Sequence, residues 1–186
     1  MRRETNPQSG FSLLEVLVAM MVITTGLLGT AALYVTTLKA TGQAANRSKA
    51  IMHAIDIANR IRANTEAGTD YAIGFDSDIT GYNTNCNGTA ADPDPANCTA
   101  SNIARDDVFH WKQSLMAVID QNENGIADTS ETQNNPAGLP NGRGQIEFTG
   151  GATLSETDVY LISVSWQDTD DPNGVAEETY QLRMEL

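Results

Sequence analysis

Histidine and cysteine are scarce in this 186-residue chain, with two of each. His53 and His110 lie far apart, and two cysteines alone cannot build a tetrahedral zinc site. Basic side chains are also few: 11 Lys and Arg stand against 24 Asp and Glu, a formal net charge of −13. A surface that reads phosphate needs clustered Lys and Arg, so nucleic acid is not an expected partner. No Ser/His/Asp or Cys/His constellation and no phosphate-cradling loop stands out, so no enzymatic activity is expected. Charge of either sign is missing from one long stretch. From Val16 to Leu38, 23 consecutive residues are uncharged and mostly apolar.

That run decides the organisation of the chain. A helix of 23 residues rises ~35 Å, enough to cross a hydrocarbon core of ~30 Å. Three simpler accounts compete. A secretory signal has a shorter apolar region followed by a small-residue cleavage site, and no A-x-A-like site is cleanly placed here. A buried soluble helix would need more apolar surface around it than the chain offers. A plain anchor fits the length but leaves Glu15 unexplained, because a carboxylate within an apolar helix costs ~2.5–3.5 kcal/mol on insertion scales.

Beyond Leu38 the helical pattern continues. Ala45, Ala50, Ile51, Ala54, Ile55, Ala58 and Ile61 recur at steps that include three and four, with no proline up to Asn64. This predicts an amphipathic second half, and one helix of roughly fifty residues. Gly26 and Gly29 are weak points that serve either close packing or local unwinding. Residues 39–62 carry five basic side chains and one acid, whereas residues 63–186 carry four basic and 21 acidic ones. Such a split suits complementarity between subunits, although much of the acid is solvated surface.

The segment Gly10-Phe11-Ser12-Leu13-Leu14-Glu15-Val16-Leu17, behind a short leader with Arg2 and Arg3, resembles the processing motif of type IV prepilins. The resemblance implies cleavage after Gly10 by a prepilin peptidase and methylation of the new amino terminus, Phe11. It implies that Glu15 meets a positive amino terminus, its own or a neighbour's, and so sets the register of assembly. It also implies an amino terminus inside the inner membrane, the bulk of the chain in the periplasm, and later a place in a pilus at the cell surface. Asp56-Ile57-Ala58-Asn59-Arg60-Ile61-Arg62-Ala63-Asn64 is similar to a stretch of the PilV-like minor pilins. Asp107 with Trp111 and Leu115, Leu139-Pro140 with Gly142 and Gly144, and Ile162–Trp166 follow the same group.

Residues 65–104 read as a loop rich in Gly, Asn, Asp and Thr. In an exported chain, Cys86 and Cys98 within it invite a disulfide, worth ~3 kcal/mol in the chain-entropy model. Residues 105–119 read as a short helix with Val108, Trp111, Leu115, Val118 and Ile119 on its apolar face, started by Asp106 or Asp107. His110 is expected to be exposed. Next, Asp120, Asn122, Asn124, Gly125, Ile126, Asp128 and Glu131 match the D-x-N-x-N-G-x₅-E pattern of a calcium loop. Oxygen ligands at alternating positions, a turn glycine and a terminal glutamate suit a hard cation. Two Asn ligands make the site weakly charged, and Gln133–Pro136 makes a poor exiting helix. The rival is a polar insertion that matches by coincidence. Three strands follow, over 145–149, 158–167 and 178–186, with Tyr160, Ile162, Val164 and Trp166 on one side of the second. Tyr180, Leu182, Met184 and Leu186 share a face of the third. Asp168, Asp170 and Asp171 read as a solvated turn more readily than as a second cation site.

The whole is an α+β, pilin-like arrangement. A leader (1–10) precedes a membrane or filament-core helix (11–38), its amphipathic continuation (39–64) and an outer domain (65–186). The resemblance implies a structural PilV-like minor pilin whose partners are other major and minor pilins, the prepilin peptidase and the inner membrane. The alternatives are a pseudopilin of type II secretion, a calcium-dependent adhesin module on a pilin stalk, and an ordinary anchored envelope protein.

Overall fold

The computed structural model describes residues 12–82, 86, 98–117, 135–150, 158–168 and 176–186. Helix α1 spans Leu13–Ala63, 51 residues, and runs unbroken through Gly26 and Gly29. The chain divides into two compact units, Met1–Gly42 and Gln43–Leu186, and α1 contributes to both.

In the first unit every residue from Ser12 to Gly42 is exposed. The helix is long and apolar enough, by length and composition, to cross a membrane. Its threonines do not leave hydroxyls unpaired. Those of Thr24, Thr25, Thr30, Thr36 and Thr37 donate back to carbonyls three or four residues earlier, at 2.8–3.0 Å. Such bonds make a hydroxyl tolerable where no water reaches.

In the second unit the rest of α1 lies against a sheet and a second helix. Ala50, Ala54, Ile57, Ala58 and Ile61 are fully buried, at spacings of one, three and four. The apolar stripe is therefore real, but of its expected members Ile51 is only half-buried and two others are not in it. Ala45 and Ile55 are exposed, and Ile57 takes the place that the 3.6-residue period gives it between Ala54 and Ile61. A 3-10 turn over Thr65–Tyr71 follows, reversed through Gly68 at φ 49°. This corrects the reading of a loop from residue 65.

Helix α2 covers Ala100–Leu115, starting five residues earlier than the sequence pattern placed it. Its cap is Thr99, whose hydroxyl accepts from the Asn102 backbone N–H at 3.2 Å. Asp106 and Asp107 are not caps. They lie inside the helix, 0% and 5% exposed. The strands are β1 (Arg143–Thr149), β2 (Val159–Gln167) and β3 (Glu177–Glu185), antiparallel in the order β1-β2-β3. In register, Ile162 faces Ile146 on one side and Leu182 on the other. Tyr160, Ile162, Val164 and Trp166 are buried, as alternation required. On β3 only Met184 is buried, while Tyr180, Leu182 and Leu186 are half-covered.

Candidate assembly surface and its anchorage

The site that the sequence singles out lies at the start of α1. Gly10 and Phe11 lie outside the described residues. Glu15 falls in the first turn of α1, with its side chain exposed among exposed Leu13, Leu14, Val16 and Leu17. An acid in the first turn complements the helix dipole. Beyond that turn the surface is almost continuously apolar to Leu38.

The far end of α1 is fastened by the residues of the Asp56–Asn64 stretch. Arg60 is the centre: its Nε donates to Asp56 Oδ2 at 3.0 Å and one terminal nitrogen to Asp107 Oδ1 at 3.1 Å. Tyr71 completes the cluster, its hydroxyl donating to Asp107 Oδ2 at 2.7 Å. Asn64 Nδ2 donates to the Ala100 carbonyl at 2.8 Å and so ties the helix end to the start of α2. Burial opposes the Arg60 charge, but the hydrogen bond to Asp107 and the nearby carboxylates outweigh it and raise its pKa. Burial, then the bond to Asp107, pushes the Tyr71 hydroxyl up as well. Asp107 thus bonds both α1 and the 3-10 turn from within α2.

A second fastening involves Trp111 and the Leu139–Gly144 stretch. Trp111 is fully buried, and its Nε1 donates to the His53 carbonyl of α1 at 3.0 Å. A Cβ at Gly144 would sit 2.4 Å from the Trp111 ring, and one at Gly142 would sit 2.0 Å from the Leu115 carbonyl oxygen. The glycines let β1 and the chain before it approach the end of α2 backbone to side chain. The Leu139 N–H donates to the Leu115 carbonyl at 2.8 Å, and the Gln167 N–H to the Pro140 carbonyl at 2.8 Å.

Other expected residues fall as follows. Cys86 and Cys98 form the disulfide. His110 is exposed at 45% of its side chain, 3.6 Å from buried Asp106, with its ring edge-on to Phe109. Asp120, Asn122, Asn124, Ile126, Asp128 and Glu131 lie outside the described residues, as do Val118, Ile119, Asp170 and Asp171. The flanks of that segment are close together: the Asn135 N–H donates to the Ala117 carbonyl at 2.6 Å, and Asn135 Nδ2 donates to the Met116 carbonyl at 2.9 Å. Among the described residues no group of His, Cys, Asp and Glu is arranged to hold a metal.

Sequence reasoning missed Lys112. It is 2% exposed, and its Nζ donates to the carbonyls of Gly74, Phe75 and Ser77 at 2.9–3.2 Å. Burial lowers its pKa to about 8, offset in part by Asp76. It placed Tyr160 on the apolar side of its strand but missed the bond of its hydroxyl, which donates to the Gly68 carbonyl at 2.7 Å. Burial, then Asp158 and Asp70, raises that hydroxyl to about 12. A lysine beside a tryptophan on an apolar helix face was the available signal for the first.

Comparison with known families gives two matches. Residues 5–31 match the prokaryotic N-terminal methylation motif, and residues 32–109 match the family described as type IV pilin Tt1218. Neither curated proteins nor solved structures gave a match. The second match spans the end of the apolar run, the Arg60 cluster and α2 as far as Phe109, and these features point to a structural protein rather than an enzyme. A methylation motif, an uncovered apolar helix and a helix-on-sheet unit fastened to its other half together make this chain a type IV prepilin-like protein.

Proposed function

We propose that the chain is a minor pilin of the PilV-like group, cleaved between Gly10 and Phe11, methylated at Phe11 and incorporated into, or priming, a type IV pilus. The carrying observation is one continuous helix with two opposite surfaces. Its first half is exposed and apolar, and Ala50, Ala54, Ile57, Ala58 and Ile61 of its second half are buried in the core. An apolar surface of this length needs lipid or other helices around it. Before assembly the inner membrane serves, with the amino terminus cytoplasmic and residues 65–186 periplasmic; afterwards the helices of neighbouring pilins do. In that low-dielectric core the Glu15 carboxylate needs a cation, and the amino terminus of Phe11 on a neighbouring subunit supplies one. The resemblance of Asp56–Asn64 to PilV-like pilins favours the minor-pilin role, because that stretch is the fastening between helix and domain.

The test is the distribution of the processed chain between sheared surface filaments and membranes, measured against the major pilin. A minor pilin appears in the sheared fraction at low stoichiometry, and Glu15→Ala removes it from that fraction while leaving its membrane level intact. A processed chain confined to membranes of piliated cells would point instead to a secretion pseudopilin.

A second proposal concerns residues 120–131. The match to a calcium loop is complete by residue type. We expect full-length protein to bind calcium at about 1 mM, the range of extracellular modules. Glu131→Gln should abolish that binding. Absence of binding to the unmodified chain would leave a polar insertion.

A further inference from the structure

Within the second unit a cleft of about 260 Å³ opens between α1, the end of β2 and the start of β3. Its lining comes from all three: Arg47 from α1, Trp166 from β2, and Glu178, Thr179 and Tyr180 from β3. The strand register explains the set. Trp166 pairs with Glu178 and Val164 with Tyr180, so Glu178 and Tyr180 share the sheet face of Trp166. Thr179 turns to the opposite face, where its hydroxyl donates to Ser165 Oγ at 3.4 Å, and it gives the cleft main chain only. Gln43 brings the helix to this end of the sheet, its Nε2 donating to Asp168 Oδ1 at 3.4 Å.

The floor of the cleft carries an unused donor. Trp166 is 3% exposed, yet its indole N–H meets no acceptor among the described residues. Among those residues no side-chain nitrogen is both sealed from solvent and unpaired, so this N–H opens onto the cleft that its ring lines. Trp111 shows the contrast: its indole N–H is bonded to the His53 carbonyl at 3.0 Å. The walls carry one charge of each sign. Arg47 is exposed and Glu178 half-exposed, and no ion pair joins them or ties either to another described residue. One cleft therefore presents a guanidinium, a carboxylate, a free indole N–H and two aromatic rings.

We propose that this cleft binds a small zwitterion, its oxyanion held by Arg47 and the Trp166 N–H and its ammonium by Glu178 beside the Trp166 and Tyr180 rings. A guanidinium offers forked donors that match a carboxylate or a phosphate, and an indole N–H only donates, so both select an anion. A carboxylate only accepts, and aromatic faces attract a cation, so the other two select an ammonium. An anion alone would meet repulsion from Glu178, and a cation alone repulsion from Arg47. An apolar ligand would cover both charges and the indole N–H without giving any of them a partner. The volume falls just below the ~300–1,000 Å³ of ordinary ligand pockets, which restricts the occupant to a small molecule or a head group. Two sources carry this chemistry: a free amino acid, with a carboxylate, and a phosphoethanolamine head group, with a phosphate.

The experiment uses the full-length chain, isotopically labelled on nitrogen and held in an uncharged maltoside detergent. Its two tryptophans give two indole N–H resonances, and Trp166→Phe assigns them. Trp111, already bonded, is the internal control. Two zwitterions are titrated: free alanine, which carries a carboxylate, and glycerophosphoethanolamine, which carries the phosphate of a lipid head group. Acetate, glycerophosphate and ethanolamine serve as the single-charge halves. The Trp166 resonance should shift with at least one zwitterion, and the Trp111 resonance with none. The halves should bind on the order of tenfold more weakly, as the loss of one charge-assisted hydrogen bond entails. Arg47→Gln and Glu178→Gln should weaken the zwitterion by a similar factor and leave the thermal midpoint unchanged, since neither residue is buried. Binding of alanine alone assigns the cleft to a free amino acid, and binding of glycerophosphoethanolamine alone assigns it to a head group. The proposal is overturned if neither zwitterion moves the Trp166 resonance, if a half binds as tightly as the whole, or if either variant binds unchanged. None of these outcomes touches the reading of the chain as a pilin, which is tested separately by its processing and its presence in filaments.

Discussion

At the scale of single residues, two buried polar side chains hold the outer unit together. Asp107 accepts hydrogen bonds from Arg60 and from Tyr71. Asp107→Asn keeps the shape but removes the charge that both donors face, and about 1–3 kcal/mol of stability should go with it. A denaturant midpoint measured on the full-length protein checks this. Lys112 gives a pH signature. Its folded pKa, about 8, lies below the ordinary lysine value of 10.5, so between those two values the unfolded chain binds more protons than the folded one. Stability from this group therefore rises with pH across that window. Tyr160 acts with the opposite sign: its pKa is raised from 10.0 to about 12, so the folded state holds the proton longer and stability falls as pH climbs through that range. Thermal midpoints should rise from pH 8 towards 10 and then fall. Lys112→Met should remove the rise while keeping the fall, and a flat profile in the unmodified protein would refute the assignment.

At the scale of elements, close approach decides the packing. Gly144→Ala would place a methyl group 2.4 Å from Trp111, so β1 or α2 must shift, at about 1–3 kcal/mol. Comparing its thermal midpoint with that of Gly26→Ala checks the claim, since nothing lies within 4 Å of a Cβ at Gly26. Much of this architecture was legible in the sequence. The long helix, the three strands and the burial of Trp111, Leu115 and Tyr160 all follow from periodicity. What escaped did so for physical reasons. Asp106 and Asp107 resemble a helix start because acids favour that position, but Thr99 supplies the cap and tertiary partners absorb Asp107. Ile55 fits an apolar period and is exposed, because periodicity says which residues share a face and not what covers it. Lys112 was passed over because a lysine is read as surface unless carbonyls to receive it are visible, and those come from residues 74–77, far away in sequence. The Gly10–Glu15 motif rests on residue type alone, and residues 5–31 match the N-terminal methylation motif.

At the scale of the whole molecule, an exposed apolar helical run precedes a unit with its own core. Residues 13–38 gain nothing from burial within their own chain, while the second unit has its own core of helix, sheet and buried aromatics. The matches to a methylation motif over 5–31 and to a type IV pilin family over 32–109 meet on α1, where the two surfaces join. The central claim is that the chain is made as a precursor and processed at Gly10. The most direct test is the intact mass of the protein isolated from its native membranes and sheared filaments. The account predicts one species that begins at Phe11 and carries one added methyl group, and its loss on Gly10→Val. A mature protein that still begins at Met1, with no methylation, would contradict it.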